Sequence, residues 1–95
     1  MAGIGVSGQQ MWILGYLSGL EKGAWISPSK IGIDYGLNVA AFPAVRHHSA
    51  WASPKLSQLQ KKGLVERSDK RNRRGWWRIT DAGRLYFKQH KDDIR

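Results

Sequence analysis

LSQLQKKGLVERSDKRNRRGWWRIT, residues 56–80, decides how the chain folds. Leu56 to Lys62 carries leucines three apart and no strand formers, so it reads as the end of a helix, and Gly63 stops it. Leu64–Ser68 is apolar, then mixed, and reads as a strand. Asp69–Gly75, DKRNRRG, carries four basic residues in seven, with Asn72 and Gly75 as turn formers. Trp76–Thr80 is the return strand. Alternation places Trp77 and Ile79 on one face, assigned to the core, and Trp76, Arg78 and Thr80 on the other.

Upstream, the same helix has two possible starts. Ser53-Pro54 has the form of an N-cap followed by proline at the first helical position. The alternative begins near Arg46 and tolerates Pro54; a start before Ser53 is favoured. On a wheel of about 100° per residue, Ala52, Leu56, Leu59 and Gly63 form one narrow seam. The opposite face carries His47, Ala50, Pro54, Ser57, Gln58 and Lys61, with Trp51 at its margin. It has little aliphatic bulk and several hydrogen-bonding groups, as expected of a helix laid into a groove. Residues 37–45 contain Pro43 and read as a loop or a loop with one helical turn.

Further out, residues 1–7 are Gly-rich and read as a loose N-terminus. Ser7 caps a predicted helix over about 8–22, with Ile13, Leu17 and Leu20 inward, Trp12 and Tyr16 widening the stripe, and Gly23 as its stop. Ala24–Ile26 is a short extended piece. Ser27-Pro28 starts a second helix over about 28–35, with Ile31 and Tyr35 inward and Gly36 at its end. Trp12 and Trp25 are assigned to the core. Thr80 caps a last helix over about 81–90 with Ala82, Leu85 and Tyr86 inward, and 91–95 is a charged tail.

The predicted order is helix, short strand, two helices, strand, basic loop, strand and a last helix. It resembles the winged-helix superfamily, in particular regulators of the MarR and PadR type. Leu56, Leu59, Gly63, Leu64, Val65 and Arg67 are similar to the segment that joins recognition helix to wing in those families. Arg78, Ile79, Thr80 and Gly83 resemble the segment that closes it. Residues 52–83 carry the likeness; the first half is similar only in element order. The SAWASPKL segment, 49–56, looks more like small phage and prophage winged-helix proteins. The expected fold is therefore α+β: a winged helix-turn-helix domain over 8–90 with a three-helix core, a basic β-hairpin wing and a short C-terminal helix. The resemblance implies the third helix in a major groove and the wing along phosphates or a minor groove. The chain has no counterpart of the long terminal helices that build the MarR dimer, so a monomer or weak homodimer is expected.

Charge agrees without any resemblance. Of 95 residues, Lys and Arg number 16 and Asp and Glu 7, a formal charge of +9. Residues 1–45 balance Lys22 and Lys30 against Glu21 and Asp34, so the whole excess sits in the second half. A one-sided basic patch attracts polyanions, whereas a merely solvated face intersperses its charges. Arg71, Arg73 and Arg74 can track spaced phosphates, and Arg can also enter a narrow minor groove. Ser57 and Gln58 can bond base edges, Lys55 and Lys61 can reach phosphate or guanine, and His47 can do either. Arg78, outward on the return strand, completes the basic set. Trp76 either stacks on a sugar or base or covers the sheet, and Trp51 is divided in the same way.

Other classes find little support. With no Cys there is neither a disulfide framework nor a thiolate metal site. Adjacent His47 and His48 would point about 100° apart on a helix, and the other histidine is distant His90, so no metal or other cofactor is expected. No P-loop, nucleophile–base pair or paired carboxylate is visible, and a non-enzymatic protein follows. No apolar run reaches the ~20 residues of a membrane span, and residues 1–8 lack the pattern of a signal peptide. The expected protein binds double-stranded DNA as a cytoplasmic, nucleoid-associated transcriptional regulator, with no membrane partner. Two alternatives are an RNA or unusual-duplex binder and a winged-helix interaction module of the phage-assembly kind. Winged helices that bind left-handed duplexes use a wing Trp with Asn and Tyr on the third helix. Trp77 aligns with that Trp, but Ser53 and Ser57 stand where Asn and Tyr are expected.

Overall fold

The computed structural model describes residues 6–38, 48–69 and 75–91. Within them run helices α1 (Gly8–Ser18), α2 (Pro28–Asn38) and α3 (His48–Lys61), strands β1 (Val65–Arg67) and β2 (Trp77–Ile79), and helix α4 (Asp81–His90). The architecture is α+β, with four helices and one two-stranded antiparallel hairpin in which Val65 faces Ile79 and Arg67 faces Trp77. Among the described residues no helix is long and apolar enough to cross a membrane. Residues 39–47, 70–74 and both termini lie outside the described set, and with them the expected path of 39–45, the loose N-terminus to Gly5 and most of the charged tail.

α1 begins as Ser7 predicts. Its Oγ accepts from the Gln10 amide at 3.1 Å, while Gln10 Oε1 accepts from the Ser7 amide at 2.9 Å, a reciprocal capping box. The helix ends at Ser18, short of the expected 22, with Gly19 as its cap. Gly23 belongs instead to the following turn, at φ +83, where a side chain would be strained. The extended piece contracts to Ile26, which exchanges two backbone hydrogen bonds with Trp77 at 2.8 and 2.9 Å. α2 starts at Pro28 with Ser27 Oγ accepting from the Lys30 amide. It runs through Gly36 to Asn38, because packing along α3 outweighs the poor helix propensity of one glycine.

α3 starts well before Ser53 and carries Pro54 inside it. Its end is a Schellman turn: Leu64 N–H reaches Leu59 O at 3.0 Å, and Gly63 N–H reaches Gln60 O at 2.9 Å. Gly63 takes φ +78 there and is exposed, so it is no part of the apolar seam expected of it. Ala52, Leu56 and Leu59 are fully buried, as the wheel predicts. They pack with Met11, Ile13, Leu14, Leu17, Ile31, Leu64, Val65, Trp77 and Ile79 into one core.

Two further expectations about the core fail. Trp25 is only half-buried and lies outside it, because the Arg78 guanidinium covers its ring at 4.4 Å. On α4, Ala82 and Leu85 face outward, Leu85 at 55% exposure, while Gly83, Tyr86 and Phe87 turn in. Gly83 sets that rotation. A Cβ on it would lie 2.0 Å from the Leu64 carbonyl oxygen, so α4 sits backbone-close to the α3–β1 turn. Phe87 then packs where α1 has no side chain: a Cβ on Gly15 would fall 2.9 Å from its ring.

Candidate nucleic-acid interface

The exposed face of α3 carries Ala50, Pro54, Ser57, Gln58 and Lys61, the residues placed there by helical spacing. Trp51 is half-buried, stacked on Tyr35 of α2 with ring centroids 4.3 Å apart, so it braces α3 rather than projecting from it. Lys55 is also engaged. Its Nζ donates to the Trp51 carbonyl at 3.2 Å and lies 4.5 Å from the Trp51 ring centre. Burial of the ammonium pushes the Lys55 pKa below the usual lysine value. Gln58 is exposed, yet its Oε1 accepts from Gln10 Nε2 at 2.7 Å. Among the described residues, the Ser57 and Lys61 side chains on this face have no hydrogen-bond partner.

The hairpin next to this face is closed below its loop. Ser68 N–H donates to Trp76 O at 2.7 Å and Gly75 N–H to Ser68 O at 3.0 Å, so the two ends of the hairpin are held together at its base. Gly75 reaches φ +80 there. Arg71, Arg73 and Arg74 of the loop, and His47 before α3, lie outside the described residues. Trp76 is 37% exposed beside the loop base. Arg78 points outward on β2 but is partly committed, since its Nε donates to Glu66 Oε2 at 2.8 Å and its guanidinium covers Trp25. Both members of that ion pair are more than one-third exposed, so its contribution to stability is small.

Between α3 and the hairpin base lies an open cleft of about 420 Å³. Ser53, Ser57 and Gln60 of α3, Arg67 and Trp76 of the hairpin, and Ser27 at the head of α2 are among the residues that line it. The tertiary structure thus adds Ser53, Gln60 and Arg67 to the expected set. Gln60 follows Leu59 on α3 and reads as one more surface residue. Arg67 gave no signal of this role, because a strand position reveals its face but not the helix beside it. The described part of the cleft surface offers hydroxyl and amide groups, an exposed guanidinium and an aromatic face, groups able to bond sugar–phosphate or base edges. Among the described residues no cluster of His, Asp or Glu has the form of a metal site.

No family model, curated protein or solved structure matches the chain.

Proposed function

We propose that the chain is a non-enzymatic protein that binds double-stranded DNA, built as a winged helix, with α3 in the major groove and the loop of the β1–β2 hairpin on the phosphate backbone. The observation that carries this reading is the adjacency of the two surfaces. An exposed polar helix face lies beside a hairpin whose base is fixed, and the loop between its ends holds four basic residues in seven. The helix supplies groups able to read bases, and the loop supplies charge that is blind to sequence. A role in transcriptional regulation belongs to the same proposal. Titration with a random duplex at several salt concentrations tests it. With roughly 4–6 phosphates neutralised, log K falls with log[salt] at a slope of about −4 to −5. Salt-independent binding, or none at micromolar protein, sinks the reading.

A second reading, a protein-interaction module, draws on Trp76 at 37% exposure and Leu85 at 55%. It requires weak affinity for duplex together with a defined oligomer or complex, which size-exclusion chromatography with light scattering reports.

A further inference from the structure

Gln10 is a buried polar side chain, 3% exposed, that bonds at both ends. One end serves its own helix and the other reaches Gln58 on the exposed face of α3. The chemistry of the first bond fixes the direction of the second. The Ser7 backbone N–H can only donate, so the Gln10 atom facing it must be the carbonyl oxygen. The amino group of Gln10 is thereby turned to Gln58, and an amino group can only donate. The Gln58 atom receiving it must be Oε1. The orientation of both amides, usually an assignment open to a flip, is determined here by one backbone amide. Gln58 Nε2 is left to the exterior, and among the described residues its two protons have no partner.

We propose that Gln10 is a positioning residue that sets the base preference of Gln58 on DNA; this rests on the DNA-binding reading above. Held with its carbonyl toward α1, Gln58 presents N–H donors and selects a base with acceptors on its major-groove edge. Guanine, with O6 and N7, offers two, and cytosine, whose N4 amino group only donates, is rejected. The capping box of α1 thus contributes to recognition by α3 although Gln10 itself is buried.

Substitution of Gln10 by Glu tests the idea. Glutamate keeps the capping box, since a carboxylate also accepts from the Ser7 amide. Toward Gln58 it offers only an acceptor, so the Gln58 amide turns over and presents its own carbonyl outward. Selection from randomised duplexes at neutral to mildly alkaline pH is run on wild type, Gln10→Glu, Gln10→Leu and Gln58→Ala. Wild type enriches guanine at one position by about three- to tenfold, and Gln58→Ala abolishes that preference. Gln10→Glu moves the preference at that position to cytosine or adenine, whose amino groups donate. Gln10→Leu, which keeps the apolar volume and frees the amide, leaves the position unselective and serves if Gln10→Glu does not fold. Enrichment of one consensus by wild type and both Gln10 variants overturns the proposal while leaving DNA binding intact. A wild-type chain without salt-sensitive affinity for any duplex overturns the DNA-binding reading and this proposal with it.

Discussion

Gly83 and Asp34 show how far single atoms constrain this chain. The Gly83 site has room for hydrogen alone, because a methyl group would meet the Leu64 carbonyl at 2.0 Å and the Ile79 side chain at 2.7 Å. Backbone cannot yield as a flexible side chain can, so Gly83→Ala costs about 2–4 kcal/mol, near the upper end for overpacking. Chemical denaturation measures it, and a loss under 1 kcal/mol would show that α4 can lift off the turn. Asp34 accepts from the Tyr16 hydroxyl and from Lys30 Nζ. The Tyr16 hydrogen bond, and less strongly the Lys30 ammonium, hold its carboxyl below the usual carboxylate range despite partial burial. Because the folded value is depressed, this stabilisation is complete above the ordinary Asp pKa and disappears as pH falls through the folded value. Burial first, and then the Asp34 carboxylate, push the Tyr16 phenol up, so its contribution is complete below the ordinary Tyr pKa and disappears at higher alkaline pH. Asp34→Asn should therefore cost about 1–2 kcal/mol at pH 7 and progressively less as pH is lowered below the ordinary Asp value, as thermal melts across that range would report.

Among the elements, α3 and α4 owe their placement to their ends. α3 stops at a Schellman turn whose positive-φ residue is Gly63, and Leu64 tucks back beside Leu59 in the core. Thr80 joins the same turn to α4: its hydroxyl accepts from the Gly83 amide at 3.0 Å and donates to the Gly63 carbonyl at 2.7 Å. One side chain thus caps α4 and ties it to the end of α3. Thr80→Ala should lower stability by about 1–2 kcal/mol, toward the upper end for a cap because two hydrogen bonds go together. Thr80→Ser keeps both bonds and should recover most of the loss in the same denaturation measurement. A loss of equal size in the serine variant would assign the effect to the methyl group instead.

At the scale of the molecule, the asymmetry of charge is the leading physical fact. The +9 excess lies wholly after residue 45, concentrated from Lys61 to Arg78 around the hairpin. If Arg71, Arg73 and Arg74 meet phosphates, changing all three to Ala lowers the salt slope by up to about 3 and weakens all duplexes alike. Filter binding across a salt series measures it; an unchanged slope removes the loop from the contact surface. The α+β class, the order of elements, the Ser7 and Thr80 caps and the buried faces of α3 and β2 were all readable from the chain. They depend on period, capping chemistry and glycine punctuation, which act between residues a few positions apart. The capping box of Ser7 and Gln10 was equally open to reading, but its link to Gln58 was not. That link, the rotation of α4 onto Gly83, the loss of Trp25 to Arg78 and the cleft walled by Ser57 and Arg67 join residues distant in sequence. Sequence by itself determined which surfaces are apolar, which segments turn and where the charge lies, because local chemistry carries those properties. Only the tertiary structure decided which polar groups remain free to meet a partner, since a hydrogen bond made across the fold occupies a donor or acceptor that no local pattern reveals.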